Sequence, residues 1–216
     1  MKSEEQDPRP GPGAADLGPH AARGVTGVIL AGGQGRRMGS VDKGLELLDG
    51  VPMAQRVIER FAPQVEELLV NANRNVERYA HFGYRIVRDR IDGFAGPLAG
   101  LQRGLEEAAQ PLVATAPCDS PFLPLDLVSR LRAALERDGA ELAVARTGSQ
   151  PHPVFCLCRK RLLGHLNAFL QGGGRKIDAW YAALKVIEVA FDDEAGAFDN
   201  INTPEELRAV QHRSAQ

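Results

Sequence analysis

Val25-Thr26-Gly27-Val28-Ile29-Leu30-Ala31-Gly32-Gly33-Gln34-Gly35-Arg36-Arg37-Met38-Gly39 sets the architecture: a short apolar run that breaks off into glycines. An apolar run without polar alternation predicts a strand buried on both faces, as in a parallel sheet. Glycines after such a strand let the backbone approach a ligand and take positive φ, so that N–H groups can point at phosphate oxygens. Gly32, Gly33, Gly35 and Gly39 give that freedom, and Arg36, Arg37 and Lys43 add positive charge. Lys43 is the only lysine between Lys2 and Lys160. Two familiar loops are excluded by spacing. A Walker loop needs Gly-Lys-Ser/Thr, whereas Lys43 follows Asp42 and precedes Gly44; the dinucleotide fingerprint needs a glycine where Met38 stands. Taken alone, the loop is either a phosphate cradle or a flexible basic surface turn.

Working outward, strands and helices alternate. Leu45 to Leu48 reads as a short strand closed by the turn Asp49-Gly50, and Pro52 opens a helix whose core face is Val57, Ile58 and Phe61. Glu67 to Asn71 and Tyr84 to Val87 read as strands, the second ending at Asp89. Gly96-Pro97 starts a helix with Leu98, Leu101 and Leu105 on one face. Leu112 to Ala116 is a strand running to Asp119, and Pro124 opens a helix with Val128, Leu131 and Leu135 inward. Leu142 to Ala145 and Val154 to Leu157 are further strands; helices follow over Arg161 to Leu170 and Ile177 to Leu184. Val186 to Phe191 alternates as a half-exposed strand, and Pro204 opens a last helix with Thr203 as N-cap. The pattern predicts an α/β fold, a three-layer α/β/α sandwich with a Rossmann-like, mostly parallel sheet. Residues 1–23, rich in Pro, Gly, Ala and charge, are expected to be a disordered tail, and residues 24–213 a single domain.

Of 216 residues, 44% are hydrophobic and 25% charged, with a formal net charge of -2. That composition suits a soluble globular chain and lacks the basic footprint of a nucleic-acid binder. No stretch is long and apolar enough for a membrane span, and the acidic, proline-rich start does not resemble a signal peptide, so no membrane partner and a cytoplasmic location are expected. The three cysteines form no disulfide framework; Cys156 and Cys158 alternate, which places both on one packed face of a strand.

Ligands of open α/β sheets bind beyond the carboxyl ends of the strands. The polar residues expected there are the loop from Gly32 to Lys43, then Asn71, Asp89 and Asp119. Asp119 stands between Pro117 and Pro121, which stiffen its loop; as an ordinary residue it would be a turn or N-cap aspartate. Asp89 lies between Arg88 and Arg90, where its plain role is a surface ion pair. His152, in Pro151-His152-Pro153, reads as structural or solvated, and Trp180 and Tyr181 read as packing residues.

Leu30-Ala31-Gly32-Gly33-x-Gly35-x-Arg37-Met38-Gly39-x-x-x-Lys43 resembles the signature of the MobA-like nucleotidyltransferases. Further similarity lies in Val41-Asp42-Lys43-Gly44, Val70-Asn71-Ala72-Asn73-Arg74, Gly96-Pro97-Leu98-Ala99-Gly100, Pro117-Cys118-Asp119 and Asn200-Ile201-Asn202-Thr203-Pro204-Glu205-Glu206-Leu207. Within that group the chain is similar to the molybdenum cofactor guanylyltransferase family over about residues 25–210, and Ala-Gly-Gly resembles its guanylyl-transferring rather than its cytidylyl-transferring branch. The resemblance implies transfer of GMP from GTP to molybdenum-molybdopterin with Mg2+. It implies that Leu30, Ala31, Gly32, Lys43, Asn71, Asp89 and Asp119 bind the nucleotide, and that Asp119 holds the metal. Arg37, Lys43 and Asp119 would be catalytic, and Asn200 and Asn202 would face the pterin. Molybdenum-insertion proteins and apo-molybdoenzymes are the further partners it suggests. A cytidylyl- or sugar-phosphate nucleotidyltransferase, and a non-catalytic module that delivers cofactor, are the competing readings.

Overall fold

The computed structural model describes residues 22–31, 42–90, 96–199 and 201. The opening apolar run is β1 (Ala22–Leu30), which has neighbours on both sides, as a strand without polar alternation requires. It pairs in parallel with β4 (Val65–Asn71) on one edge and with β6 (Leu112–Pro117) on the other. Beyond β4 lies β5 (Arg85–Val87); beyond β6 lie β8 (Gln150–Arg159), β7 (Leu142–Thr147) and β9 (Val186–Ala190). The seven-stranded order is β5-β4-β1-β6-β8-β7-β9. All neighbours are parallel except β8, which runs antiparallel to both β6 and β7. From β1 the chain moves outward to β4 and β5, then returns across β1 to β6. The strand order therefore reverses at β1, and its carboxyl end is the topological switch point where such sheets bind ligands.

Helices cover both faces. Alternate β1 residues split between two cores: Val25 and Ile29 belong to one, Val28 to the other. The first core takes Val57, Ile58 and Phe61 from α1 (Met53–Phe61) and Val128, Leu131 and Leu135 from α4 (Leu127–Arg137). The second takes Leu98, Leu101 and Leu105 from α3 (Pro97–Glu107), Leu166 and Leu170 from α5 (Leu163–Gln171), and Trp180 from α6 (Ile177–Tyr181). Each helix presents the face its apolar spacing predicts. Cys156 and Cys158 both pack into this second core as free thiols, and Trp180 is fully buried. Among the described residues no helix is long and apolar enough to cross a membrane.

Several local expectations shift. Pro52 is not the first residue of a helix: it closes a two-stranded hairpin, β2 (Leu47–Leu48) with β3 (Val51–Pro52), and α1 starts after it. The helix expected from Pro124 begins at Leu127. A short helix, α2 (Val76–Ala80), has no counterpart in the sequence reading. The last helix, expected from Pro204, lies outside the described residues.

Candidate active site

Leu30 and Ala31, at the carboxyl end of β1, tie the neighbouring strand ends together. The Ala31 N–H donates to the Asn71 carbonyl at 2.8 Å, and the Cys118 N–H donates to the Leu30 carbonyl at 3.2 Å. Two polar groups flank this point, a pair on the β6 side and a trio on the β4–β5 side.

On the β6 side, Lys43 and Asp119 meet. Lys43 Nζ donates to Asp119 Oδ2 at 3.2 Å, although 76 residues separate them in the chain. The lysine side chain is 22% exposed and the carboxylate 14%, so the pair is recessed yet opens to solvent. Burial pushes the Asp119 carboxyl above its ordinary value, while the Lys43 ammonium pulls it back. A desolvated carboxylate beside one ammonium suits an incoming cation, and the ammonium suits an incoming phosphate. The donor set also bears on a metal. Among the described residues no three His, Cys, Asp or Glu side chains cluster as a metal cage. One recessed carboxylate fits Mg2+ that arrives with substrate phosphates, since that ion keeps several waters and needs only one or two carboxylates.

On the β4–β5 side the amides do the holding. Asn71 is 2% exposed. Its Nδ2 donates to Asp89 Oδ1 at 2.8 Å and to the Val87 carbonyl at 3.4 Å. Asn73 Nδ2 donates to Asp89 Oδ2 at 2.7 Å, and the Asp89 N–H donates to Asn73 Oδ1 at 2.8 Å. Asp89 is thus gripped by two amides; the surface ion pair suggested by its arginine neighbours gives way, and Arg90 pairs with Glu106 instead. Gly100 on α3 makes the arrangement possible: a Cβ there would lie 2.4 Å from Asn71 Oδ1 and 2.7 Å from Leu30 Cδ2.

The fold therefore gathers Leu30, Ala31, Lys43, Asn71, Asp89 and Asp119 at the carboxyl-end side of the sheet. Gly32, Arg37, Asn200 and Asn202 lie outside the described residues. Ile201 is described: its N–H donates to the Asp119 carbonyl at 3.1 Å. His152 hydrogen-bonds Thr147 Oγ1 through Nε2 at 2.7 Å and stacks on Phe198 with ring centroids 4.7 Å apart. Sequence reasoning passed over Asn73. Its signal was the Asn71-x-Asn73 alternation, which puts two amides at the end of one strand. Cys118 adjoins Asp119 but is buried, and burial pushes its thiol well above the ordinary range. It is unsuited to act as a nucleophile.

A family model described as the MobA-like NTP transferase domain matches residues 27–186. The chain belongs to the MobA-like NTP transferase family. Molybdenum cofactor guanylyltransferase of Cupriavidus taiwanensis is 54% identical to this NTP transferase over 194 residues, covering 88% of this chain and 97% of its own. The protein of the same name from Ralstonia nicotianae is 50% identical over 198 residues, covering 88% and 97%. The fold is shared with the crystal structure of molybdopterin-guanine dinucleotide biosynthesis protein A from Archaeoglobus fulgidus. There the TM-score is 0.74 at 22% identity, with 88% of this chain and 98% of that one covered. It is shared also with a 4-diphosphocytidyl-2C-methyl-D-erythritol synthase from Anaerococcus prevotii, with a TM-score of 0.69 at 13% identity, covering 90% and 99%.

Proposed function

We propose that the protein transfers GMP from GTP to molybdenum-molybdopterin, giving molybdopterin guanine dinucleotide and pyrophosphate. The Lys43–Asp119 pair at the switch point carries this reading, because it sets a cation and a carboxylate where a metal-bound triphosphate would lie. The acceptor and the base are supplied by the similarity to relatives named molybdenum cofactor guanylyltransferase.

In the reaction a terminal phosphate oxygen of the pterin bonds to the α-phosphorus of GTP, and the bond from that phosphorus to the β-phosphate oxygen breaks. No protein nucleophile is needed, so the protein contributes position and charge. Lys43 offsets phosphate charge, and Arg37 does so from the glycine loop. Asp119 holds Mg2+, which when bound supplies charge neutralisation on the phosphates. Asn71 and Asp89 present amide and carboxylate groups beside the base, with Leu30, Ala31 and Gly32 as the backbone floor. Guanine, with one carbonyl acceptor and an amino donor, suits a carboxylate held by amides. Asn200 and Asn202 are assigned to the pterin side.

The test is nucleotide choice: the full chain with molybdopterin carrying molybdenum, Mg2+ and labelled GTP or CTP. GMP incorporation is expected, and exclusive incorporation of CMP would sink the guanylyl assignment. Asp119→Asn should fold and keep some GTP binding while losing about 100-fold or more in transfer. Unchanged turnover would remove Asp119 from the metal.

A further inference from the structure

The Lys43–Asp119 pair is held from behind. The residue before each member, Asp42 before the lysine and Cys118 before the aspartate, lies beside the hydroxyl of Tyr79 on α2. That hydroxyl donates to Asp42 Oδ1 at 2.6 Å, and Asp42 Oδ2 accepts from Asn75 Nδ2 at 2.9 Å. The Cys118 thiol lies close by, since one Cβ at Gly44 would meet both Cys118 Sγ and that hydroxyl. Tyr79 itself is fully buried, its ring set edge-on to Phe82. Burial raises the phenol above its ordinary range, so it keeps its proton at neutral pH. The single hydroxyl proton goes to Asp42.

Gly44 fits the same scheme. A Cβ at that position would come within 2.5 Å of the Tyr79 hydroxyl and 2.9 Å of Cys118 Sγ. The triplet Asp42-Lys43-Gly44 thus divides its work: Asp42 anchors, Lys43 faces Asp119, and Gly44 leaves room for the anchor. A tyrosine that only filled space would need no carboxylate at its hydroxyl, and hydrogen bonds to an ionised acceptor are about twice as strong as neutral ones.

We propose that Tyr79 is a positioning residue for the triphosphate: its hydroxyl holds Asp42 in place and so fixes Lys43 opposite Asp119. This rests on the reading of Lys43 and Asp119 as the groups that meet phosphate and metal, but not on which base the nucleotide carries.

The experiment measures Kd by calorimetry on the full chain with Mg2+ and GTP, CTP or ATP, using whichever wild type binds tightest. Tyr79→Phe is expected to weaken binding about tenfold, the loss of one charge-assisted hydrogen bond transmitted to one phosphate contact. Lys43→Ala should weaken it at least as much. The double variant should match Lys43→Ala within about twofold, because a residue that acts through Lys43 has nothing left to position. A Kd for Tyr79→Phe within about twofold of wild type would overturn the proposal. So would losses that multiply in the double variant, as an independent packing defect would give. If Tyr79→Phe shows no cooperative thermal transition, Asp42→Asn, at a half-exposed site, replaces it with the same criteria. A wild-type preference for CTP would reject the guanylyl reading alone; binding of none of the three would reject both.

Discussion

Lys43 and Asp119 are each costly alone at a recessed site, and together each supplies what the other lacks. That explains why the free protein keeps them paired at 3.2 Å; on the proposed function, a metal-bound triphosphate would offer a cation to one and an anion to the other and so separate them. Both were legible in the sequence, Lys43 as a solitary lysine and Asp119 as an acid just past a strand. Asp89 was legible by position but not by environment. Its arginine neighbours in the chain suggested an ion pair, whereas the sheet sets it against Asn71 and Asn73. His152 gives a test at this scale. Burial holds its imidazole below the ordinary value of 6.5, with Asp199 opposing. The unfolded chain then takes up a proton that the native chain refuses, so stability present above about pH 6.5 is lost as pH falls toward the depressed native value. His152→Gln should flatten the dependence of Tm on pH between about 7 and 5. A slope identical to wild type would show that another group causes it.

Among the elements, α1, α3 and α4 were readable because their apolar residues recur at the spacing of one buried face, and β1 because its apolar run lacks polar alternation. The five-residue α2 was not, since it is too short to show a period, yet it carries the Tyr79 hydroxyl. β8 was seen only as Val154 to Leu157; it extends back through Pro153 and Pro151. Those prolines lie beyond its pairing with β6, which spans Cys156 to Arg159, and beside a register shift against β7, where a missing N–H leaves the ladder with β6 intact. On α3 the packing of Gly100 yields a prediction. Gly100→Ala gains about 1 kcal/mol of helix propensity but drives a methyl into Asn71 Oδ1 and Leu30, at a cost of about 1–3 kcal/mol. The expected result is a lowered urea midpoint and weaker nucleotide binding, because Asn71 must move away from Asp89. A variant with an unchanged midpoint and unchanged Kd would show that the Asn71 amide is not needed where it lies.

For the whole molecule, the proposed site draws on the ends of several strands, which only folding brings together. A ligand that bridges them should stabilise the fold. GTP with Mg2+ at about 100-fold over Kd contributes about 2.7 kcal/mol, or about 5–10 °C in Tm for a chain of this size. Chelation with EDTA should remove most of the shift and all of the transfer. A shift indifferent to EDTA would mean that the metal takes no part in holding the triphosphate. The sequence alone determined the layered α/β architecture, the strand ends that carry the polar residues, and the membership of a family, because periodicity, glycine placement and short motifs are local properties of a chain. Only the tertiary structure decided that β8 runs antiparallel, that Asn73 shares Asp89 with Asn71, and that Tyr79 stands behind both Lys43 and Asp119. Strand direction and hydrogen-bond partners depend on which segments 16 to 76 residues apart are brought within 3 Å or so, and no local pattern records that.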